Sequence, residues 1–486
     1  MVKPVQGSFH KKKKIRNLRR LDIVYRKECL MKDIGEIVNA QRAFFNSGKT
    51  ADVSFRIRQL GILQHAVKEN EKTIIDALHA DLRKTPYEAY LTEVGIVLED
   101  LRFCMKKTAR WARPRRARTP FYHLPASSWI YPEPYGLALI IAPWNYPFQL
   151  AMAPLAAAIS AGNCAVIKPS EFSVHTSEVI ADLAGRYFDP AHIAAVTGGV
   201  ETSTALLAEK FDKIFFTGSP NVGRIVMTAA ARHLTPVTLE LGGKSPCIVE
   251  SDADIRLSAK RIVSGKFINA GQTCIAPDYL MVHHSVRDRL IDEIKNYIKR
   301  FFGENPGNSP EYPRIINGRH LERLVGLMSG TTLLCGGDYD PQTLFLSPTL
   351  VTDVDMSHPV MQEEIFGPIL PVISYDGIAE VIDTVNSRPR PLALYLFTGN
   401  SRTAETVLKR VSFGGGCVND TLIHFATPYL PFGGVGNSGM GSYHGRFGFD
   451  AFTHYKGVMK NTFMIDFPFR YPPFFKYIKL LKKVLR

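Results

Sequence analysis

Apolar residues recur at three- and four-residue spacing through residues 32–47 (Ile34, Ile37, Val38) and 54–82 (Leu60, Leu63, Val67, Ile74, Ile75, Leu78), which predicts helices there. A longer stripe (Tyr90, Val94, Val97, Leu98, Leu101, Met105) predicts a helix over 88–112, with Phe103 on its opposite face and Pro114 ending it. Residues 113–136 are rich in proline and aromatics and alternate only weakly, which suits an arm rather than a core layer. From Gly136 the period changes. Short apolar runs at 137–141, 165–168, 193–197 and 213–217 alternate with helical stretches at 150–161, 176–187 and 202–208. Uninterrupted apolar strands suit a parallel sheet covered on both faces. Four of them joined by helices predict a doubly wound α/β sheet. A second α/β region begins near Leu241, with strands at 247–249, 279–283, 344–351, 369–373 and 393–398. Its helices fall at 255–270, 285–301, 318–329, 376–386 and 402–410.

With 486 residues the chain is long enough for two or three domains. Its 45% hydrophobic and 22% charged residues are ordinary for a globular protein and argue against disorder on a large scale. The net charge of +15 changes the picture only at the ends. Residues 1–30 carry +8 and residues 470–486 carry +6, leaving +1 for the body. A neutral body with basic ends argues for contact with an anionic surface rather than a nucleic-acid groove. Seven scattered cysteines without CxxC pairs fit a reducing compartment, with no disulfide framework and no metal site. No stretch reaches the roughly 18–20 apolar residues of a membrane span. The basic start lacks the apolar core of a secretory signal. Residues 1–30 are expected to be disordered, as an extension upstream of Met31 or a misassigned start. Residues 474–486 form a basic amphipathic stretch that suits a bilayer surface, a cover for a substrate mouth, or packing on a partner subunit.

Several short strings carry candidate chemistry. Phe216-Thr217-Gly218-Ser219-Pro220-Asn221-Val222-Gly223 runs from a predicted strand into a helix start, where backbone amides favour a pyrophosphate. The spacing is not Gly-x-Gly-x-x-Gly, and alone it reads as readily as a plain strand-to-helix turn. Lys168-Pro169-Ser170-Glu171 ends a strand, so Lys168 and Glu171 can reach ribose hydroxyls, or belong to a surface loop. The Asn145 amide in Pro143-Trp144-Asn145-Tyr146-Pro147 can donate to an oxyanion, or serve a Pro-bounded turn. Cys274 follows small and polar residues in Gly271-Gln272-Thr273, unlike most packed cysteines. Glu240 ends a strand ahead of Gly242-Gly243, where a carboxylate can activate water or be merely solvated.

In this order and at these spacings the strings resemble the NAD(P)-dependent aldehyde dehydrogenase superfamily, and closely its class 3 branch, which includes fatty aldehyde dehydrogenases. The resemblance runs from about Met31 to about Pro473 and includes Glu363-Glu364-Ile365-Phe366-Gly367-Pro368 and Leu430-Pro431-Phe432-Gly433-Gly434. Cys274-Ile275-Ala276-Pro277-Asp278-Tyr279 points to class 3. The resemblance implies Cys274 as nucleophile, Glu240 as general base, and the Asn145 side chain with the Cys274 amide as oxyanion hole. It implies Lys168 and Glu171 at the adenosine ribose, and Gly218, Ser219, Val222 and Gly223 beside the pyrophosphate. Glu364 falls at the nicotinamide ribose and Phe366 against the nicotinamide. NAD is the implied cofactor, with NADP allowed, and an aldehyde the implied substrate. The implied α/β fold has a Rossmann-type cofactor domain (31–112 and 136–240), an α/β catalytic domain (241–425) and a small β bridging arm (113–135 and 426–465, with a strand near 443–456). A basic tail (466–486) follows. A homodimer in the cytoplasm, touching membrane at most peripherally through that tail and not binding nucleic acid, completes the expectation. Two rivals remain: an acyl-CoA-forming dehydrogenase, which normally lacks the carboxylate at position 240, and a silent binding protein on the same fold.

Overall fold

The computed structural model describes residues 33–484. The basic segment 1–30 lies outside the described residues. Two open sheets and a small third one organise the chain. The first sheet runs, from one edge to the other, Gly439–Met440, Val237–Glu240, Lys213–Thr217, Leu137–Ile141, Cys164–Lys168, Ile193–Ala195. All its pairs are parallel except the antiparallel Gly439–Met440 at the edge. The strand order reverses at Leu137–Ile141, whose neighbours are the second and fourth parallel strands in chain order. In such sheets ligands bind outside the carboxyl ends at that point of reversal.

Strands Leu137–Ile141, Cys164–Lys168 and Lys213–Thr217 are buried at every residue, as their unbroken apolar runs require. The helix Gln149–Ala161 is also buried at all thirteen positions. It is apolar on every side, so water offers it no face. It packs against the helices Val53–Glu69 and Gly95–Trp111, which close that side of the sheet.

The second sheet has the order Thr332–Cys335, Thr349–Thr352, Ile369–Tyr375, Tyr279–His283, Pro246–Val249, Ala393–Phe397, Gly415–Val418. Only its first pair is antiparallel. The third sheet joins Arg115–Ala117, Ser127–Pro134 and Thr453–Lys460 as an antiparallel arm.

Local chemistry moves several expected boundaries. The helix expected over 54–82 is two, Val53–Glu69 and Glu71–Leu82. Asn70 ends the first by donating its side-chain amide to the Ala66 carbonyl, competing with the backbone. The helix expected over 88–112 begins as Pro86–Ala89, passes through a π turn at Tyr90–Val94 and resumes as Gly95–Trp111. Phe103, off the main apolar stripe, is covered instead by Trp111 and Tyr429 rings at 5.7 and 5.4 Å. The strand expected near 443–456 is a helix, Gly445–Ala451, followed by the strand Thr453–Lys460. Phe449 of that helix is buried against Trp111, so the segment serves the core before it reaches the arm.

Candidate active site

Three strand ends of the first sheet, after Ile141, Thr217 and Glu240, converge with loops from the second region. The strand Lys213–Thr217 leads into Gly218 and Ser219, and the helix Pro220–Ala231 follows. Ser219 caps it, its hydroxyl accepting from the Val222 amide at 3.4 Å, and Pro220 occupies the first turn, where no amide is needed. The remaining first-turn amides add partial positive charge there. Gly218 donates its amide to the Glu240 carbonyl at 3.0 Å. Glu240 is thus held between two strands, opposite Thr217 on one side and Gly439 on the other.

Cys274 sits in a loop whose conformation sequence periodicity does not foresee. The helix expected to run to residue 270 stops at Phe267. Asn269 (φ 51°, ψ 30°) and Ala270 (φ 50°, ψ 35°) then take the left-handed conformation, and Gly271 follows at φ 73°. Left-handed non-glycine residues cost on the order of 1–3 kcal/mol each and persist only where the surroundings impose them. A Cβ at Gly271 would lie 2.3 Å from the Gly367 carbonyl oxygen, so only glycine fits. The buried Gln272 side chain ties the loop down, donating to the carbonyls of Asn269 (3.0 Å) and Arg314 (2.9 Å) and accepting from the Ile316 amide (3.0 Å). Its own carbonyl accepts from Asn145 Nδ2 at 3.0 Å.

Two cavities meet at this loop. One, of about 490 Å³, has walls that include Leu91, Ile96, Phe301, Phe425 and Phe432, with Tyr146, Gln149, Tyr443, Lys260, Arg261 and Asp420 among its polar groups. The other, of about 450 Å³, is bordered by Asn145, Gly218, Ser219, Glu364, Phe366 and Arg388. Cys274, Glu240, Thr217 and Leu150 border both. The thiol therefore looks into an apolar chamber on one side and a polar, strand-end crevice on the other.

The electrostatics follow from that enclosure. Glu240 is 2% exposed and neither of its carboxyl oxygens has a hydrogen-bond partner; burial holds it well above the usual carboxylate range. Burial pushes the Cys274 thiol up, the Glu364 and Glu240 carboxylates add to this, and the amides of Cys274 and Ile275 oppose it. Glu364 is pushed up to about 8, by burial first and then by Asp278, while the Gly243 amide, Lys244 and Arg323 pull it back. Its Oε1 has no partner. Nearby Lys266 is fully buried with its ammonium unbonded, and burial lowers it to about 8.

Not every expected residue reaches these cavities. Lys168 is buried and donates to Glu171 at 2.6 Å, and neither borders the polar crevice. Val222 is 45% exposed on the helix and also lies off it. Gly223 is buried within that helix, where an added Cβ would lie 2.7 Å from Leu241 Cδ2, so its smallness serves close helix packing. Conversely, Thr217, Tyr146, Gln149, Arg224, Arg388 and Tyr443 border the site without having been singled out. Tyr146 and Gln149 stand one and four residues past Asn145, a local clue; Tyr443 has none, since it arrives from far along the chain.

The crevice suits a dinucleotide. It lies at the strand-order reversal, a capped helix start faces it, and the unpaired Glu364 Oε1 offers an acceptor for a hydroxyl. Among the described residues no cluster of His, Cys, Asp and Glu could hold a metal ion, and no helix is long and apolar enough to cross a membrane.

Comparison with known proteins agrees with the geometry. Residues 14–458 match the aldehyde dehydrogenase family. The 4,4'-diaponeurosporen-aldehyde dehydrogenase of Staphylococcus aureus is 47% identical over 447 residues, 91% of this chain and 97% of that protein. Aldehyde dehydrogenase family 3 member A2 of Rattus norvegicus is 45% identical, covering 90% of each chain. The dimeric NADP-preferring aldehyde dehydrogenase of Canis lupus familiaris is 43% identical, over 91% of this chain and 98% of that one. The substrate-bound structure of Staphylococcus aureus AldH superposes with a TM-score of 0.92 at 45% identity, covering 93% of this chain and 99% of that one. The chain belongs to the aldehyde dehydrogenase family and is an oxidoreductase acting on aldehydes.

Proposed function

We propose that the chain oxidises apolar aldehydes to carboxylic acids through a covalent Cys274 intermediate, with NAD or NADP as hydride acceptor. One observation carries the reading: Cys274 stands where an apolar chamber and a dinucleotide-sized crevice share a wall, with the unpaired Glu240 carboxyl beside it. Cys274 Sγ adds to the aldehyde carbon, and Asn145 Nδ2 with the Cys274 amide stabilises the resulting oxyanion. Asn145 Nδ2 already spends one hydrogen on the Gln272 carbonyl and keeps its second. Glu364 and Phe366 would hold a dinucleotide whose nicotinamide would supply the hydride acceptor needed to turn the Cys274 thiohemiacetal into a thioester. Glu240 takes a proton from water, which attacks the thioester, frees the acid and restores the thiol. Burial raises this carboxyl, which makes it a stronger base than a solvated one, and with no partner it is free to turn between the two sides.

Glu364 and Phe366 serve the nicotinamide end, Gly218 and Ser219 the pyrophosphate, and the Lys168–Glu171 pair the more distant ribose once it opens toward a ligand. The apolar chamber selects aliphatic or aromatic substrates. A glutamate at position 240 favours hydrolysis of the thioester over transfer to a thiol carrier such as CoA. The bridging arm pairs two copies. The tail, with Phe474, Phe475 and Ile478 exposed beside Lys476 and Lys479, touches anionic membrane. Cys274→Ala is the direct test. It is expected to abolish aldehyde-dependent reduction of the dinucleotide while dinucleotide binding persists; retained turnover would remove Cys274 from the reaction.

A further inference from the structure

Behind the Cys274 loop lie three buried charged side chains that none of these steps employs. Arg83, at φ 57°, turns the chain out of the helix Glu71–Leu82, and Lys84 follows it inward. Glu88 lies in the short helix Pro86–Ala89 and Glu93 in the π turn Tyr90–Val94. Lys84 and Glu93 are both fully buried, and Glu88 is nearly so.

Their hydrogen bonds reach the two loops that must act together. Lys84 Nζ donates to Glu93 Oε1 at 2.5 Å and to the Asn145 carbonyl at 3.0 Å, and lies 4.0 Å from the centre of the Tyr146 ring. An ammonium has three hydrogens, enough for the two acceptors and the ring face. Glu93 Oε2 accepts from the amides of Phe148 (2.9 Å) and Gln149 (3.2 Å), at the start of the buried helix. Glu88 Oε1 accepts from the Asn269 amide at 2.8 Å. Asn269 Nδ2 then donates to the Asn145 carbonyl at 2.8 Å, and Tyr146 OH meets Thr273 Oγ1 at 2.6 Å. Besides the Asn145–Gln272 and Tyr146–Thr273 bonds, the loop holding Asn145 and the loop holding Cys274 are thereby tied at one carbonyl that Lys84 and Asn269 share.

We infer that Lys84, Glu93 and Glu88 are positioning residues: they fix the distance between the Asn145 amide and the Cys274 sulfur. The inference rests on the reading of Cys274 and Asn145 given above. Burying an ion pair completely gains little stability over apolar residues of similar volume, so stability alone does not account for this one. Displacement of a reacting group by about 1 Å can cost on the order of a hundredfold in rate. A π turn placed at Glu93 fits such a use, since these turns recur at functional sites.

The double variant Lys84→Met/Glu93→Gln removes both charges of the pair and keeps an oxygen for the Phe148 and Gln149 amides. Its kcat is expected to fall about 10- to 100-fold, with the aldehyde KM and the dinucleotide Kd within about threefold of the parent. Glu88→Leu is expected to lower kcat roughly tenfold, and Glu88→Gln, whose carbonyl still accepts from Asn269, to restore it. Parental kcat in the folded double variant overturns the inference, and so does equal activity of the Leu and Gln variants at position 88. Should the double variant not fold, the position 88 pair decides alone. Cys274→Ala in parallel separates the two readings: activity surviving there defeats the nucleophile assignment, whereas a dead Cys274→Ala with a fully active double variant defeats only the positioning role.

Discussion

The two chambers that meet at Cys274 are built on opposite principles. The substrate side is walled by Leu91, Ile96, Phe301, Phe425 and Phe432, side chains that recognise a ligand by area and shape. The crevice side presents Ser219, Asn221, Arg224, Glu364 and Arg388, which recognise by charge and hydrogen bond. Each suits its own kind of ligand. Largely apolar walls solvate a phosphate poorly, whereas the crevice sets donors and acceptors for phosphate and hydroxyl groups beside Trp144, Leu150 and Phe366. The reacting atom stands on the boundary, and so does Glu240, whose carboxyl belongs to neither hydrogen-bond network. A base needed at different moments on either side is most useful where nothing holds it.

The sharpest break after removal of the thiol is Glu240→Gln. It leaves both chambers intact and is expected to lower steady turnover by about 10²–10³-fold, with an initial burst of reduced dinucleotide as the thioester accumulates. Burst-phase kinetics check it, and an unchanged steady rate would take Glu240 out of the hydrolysis. A smaller effect belongs to the apolar side alone. Across straight-chain aldehydes kcat/KM should rise by up to roughly fourfold per methylene until the chamber is filled. Ile96→Asp should flatten that series and raise KM while dinucleotide affinity stays constant; a parallel loss of dinucleotide binding would show that the chambers are not independent.

The smallest expected effect lies beneath both chambers, on stability rather than rate. Burial pushes Glu88 up to about 7, Lys84 and the Asn269 amide opposing. Its folded value lies above the ordinary one near 4.5, so the fold favours the protonated form. That contribution is full at low pH and is lost as pH rises from about 4.5 through 7. Glu88→Gln removes this slope and should therefore stabilise the protein at pH 8, by on the order of 2 kcal/mol, and hardly at pH 4.5. Denaturant unfolding at the two pH values checks the sign.

Most elements were legible along the chain because helix and buried-strand periods are local properties. Strands 137–141, 213–217 and 279–283 lie where the apolar runs place them. Thr332–Cys335, Gly415–Val418 and Gly439–Met440 escaped notice: they are short, two of them begin with glycine, and each exists only through its pairing partner. The candidate site divides in the same way. Cys274, Glu240, Asn145, Gly218, Ser219, Glu364 and Phe366 carry recognisable strings and border the crevice. Gly223 carries one too, and an added Cβ there would meet Leu241 in the helix packing.

By itself the sequence determined most of the helices and buried strands, which residue types are present for covalent chemistry, and how the basic charge is distributed. Only the tertiary structure decided that Glu240, Cys274 and Tyr443 share a wall, that the lysine after a left-handed turn reaches the Asn145 carbonyl, and that one thiol opens onto two unlike chambers. The reason is one of range. Periodicity and capping act over a few residues, whereas a cavity and a shared carbonyl are made by groups tens to hundreds of residues apart, brought together when the sheets are covered.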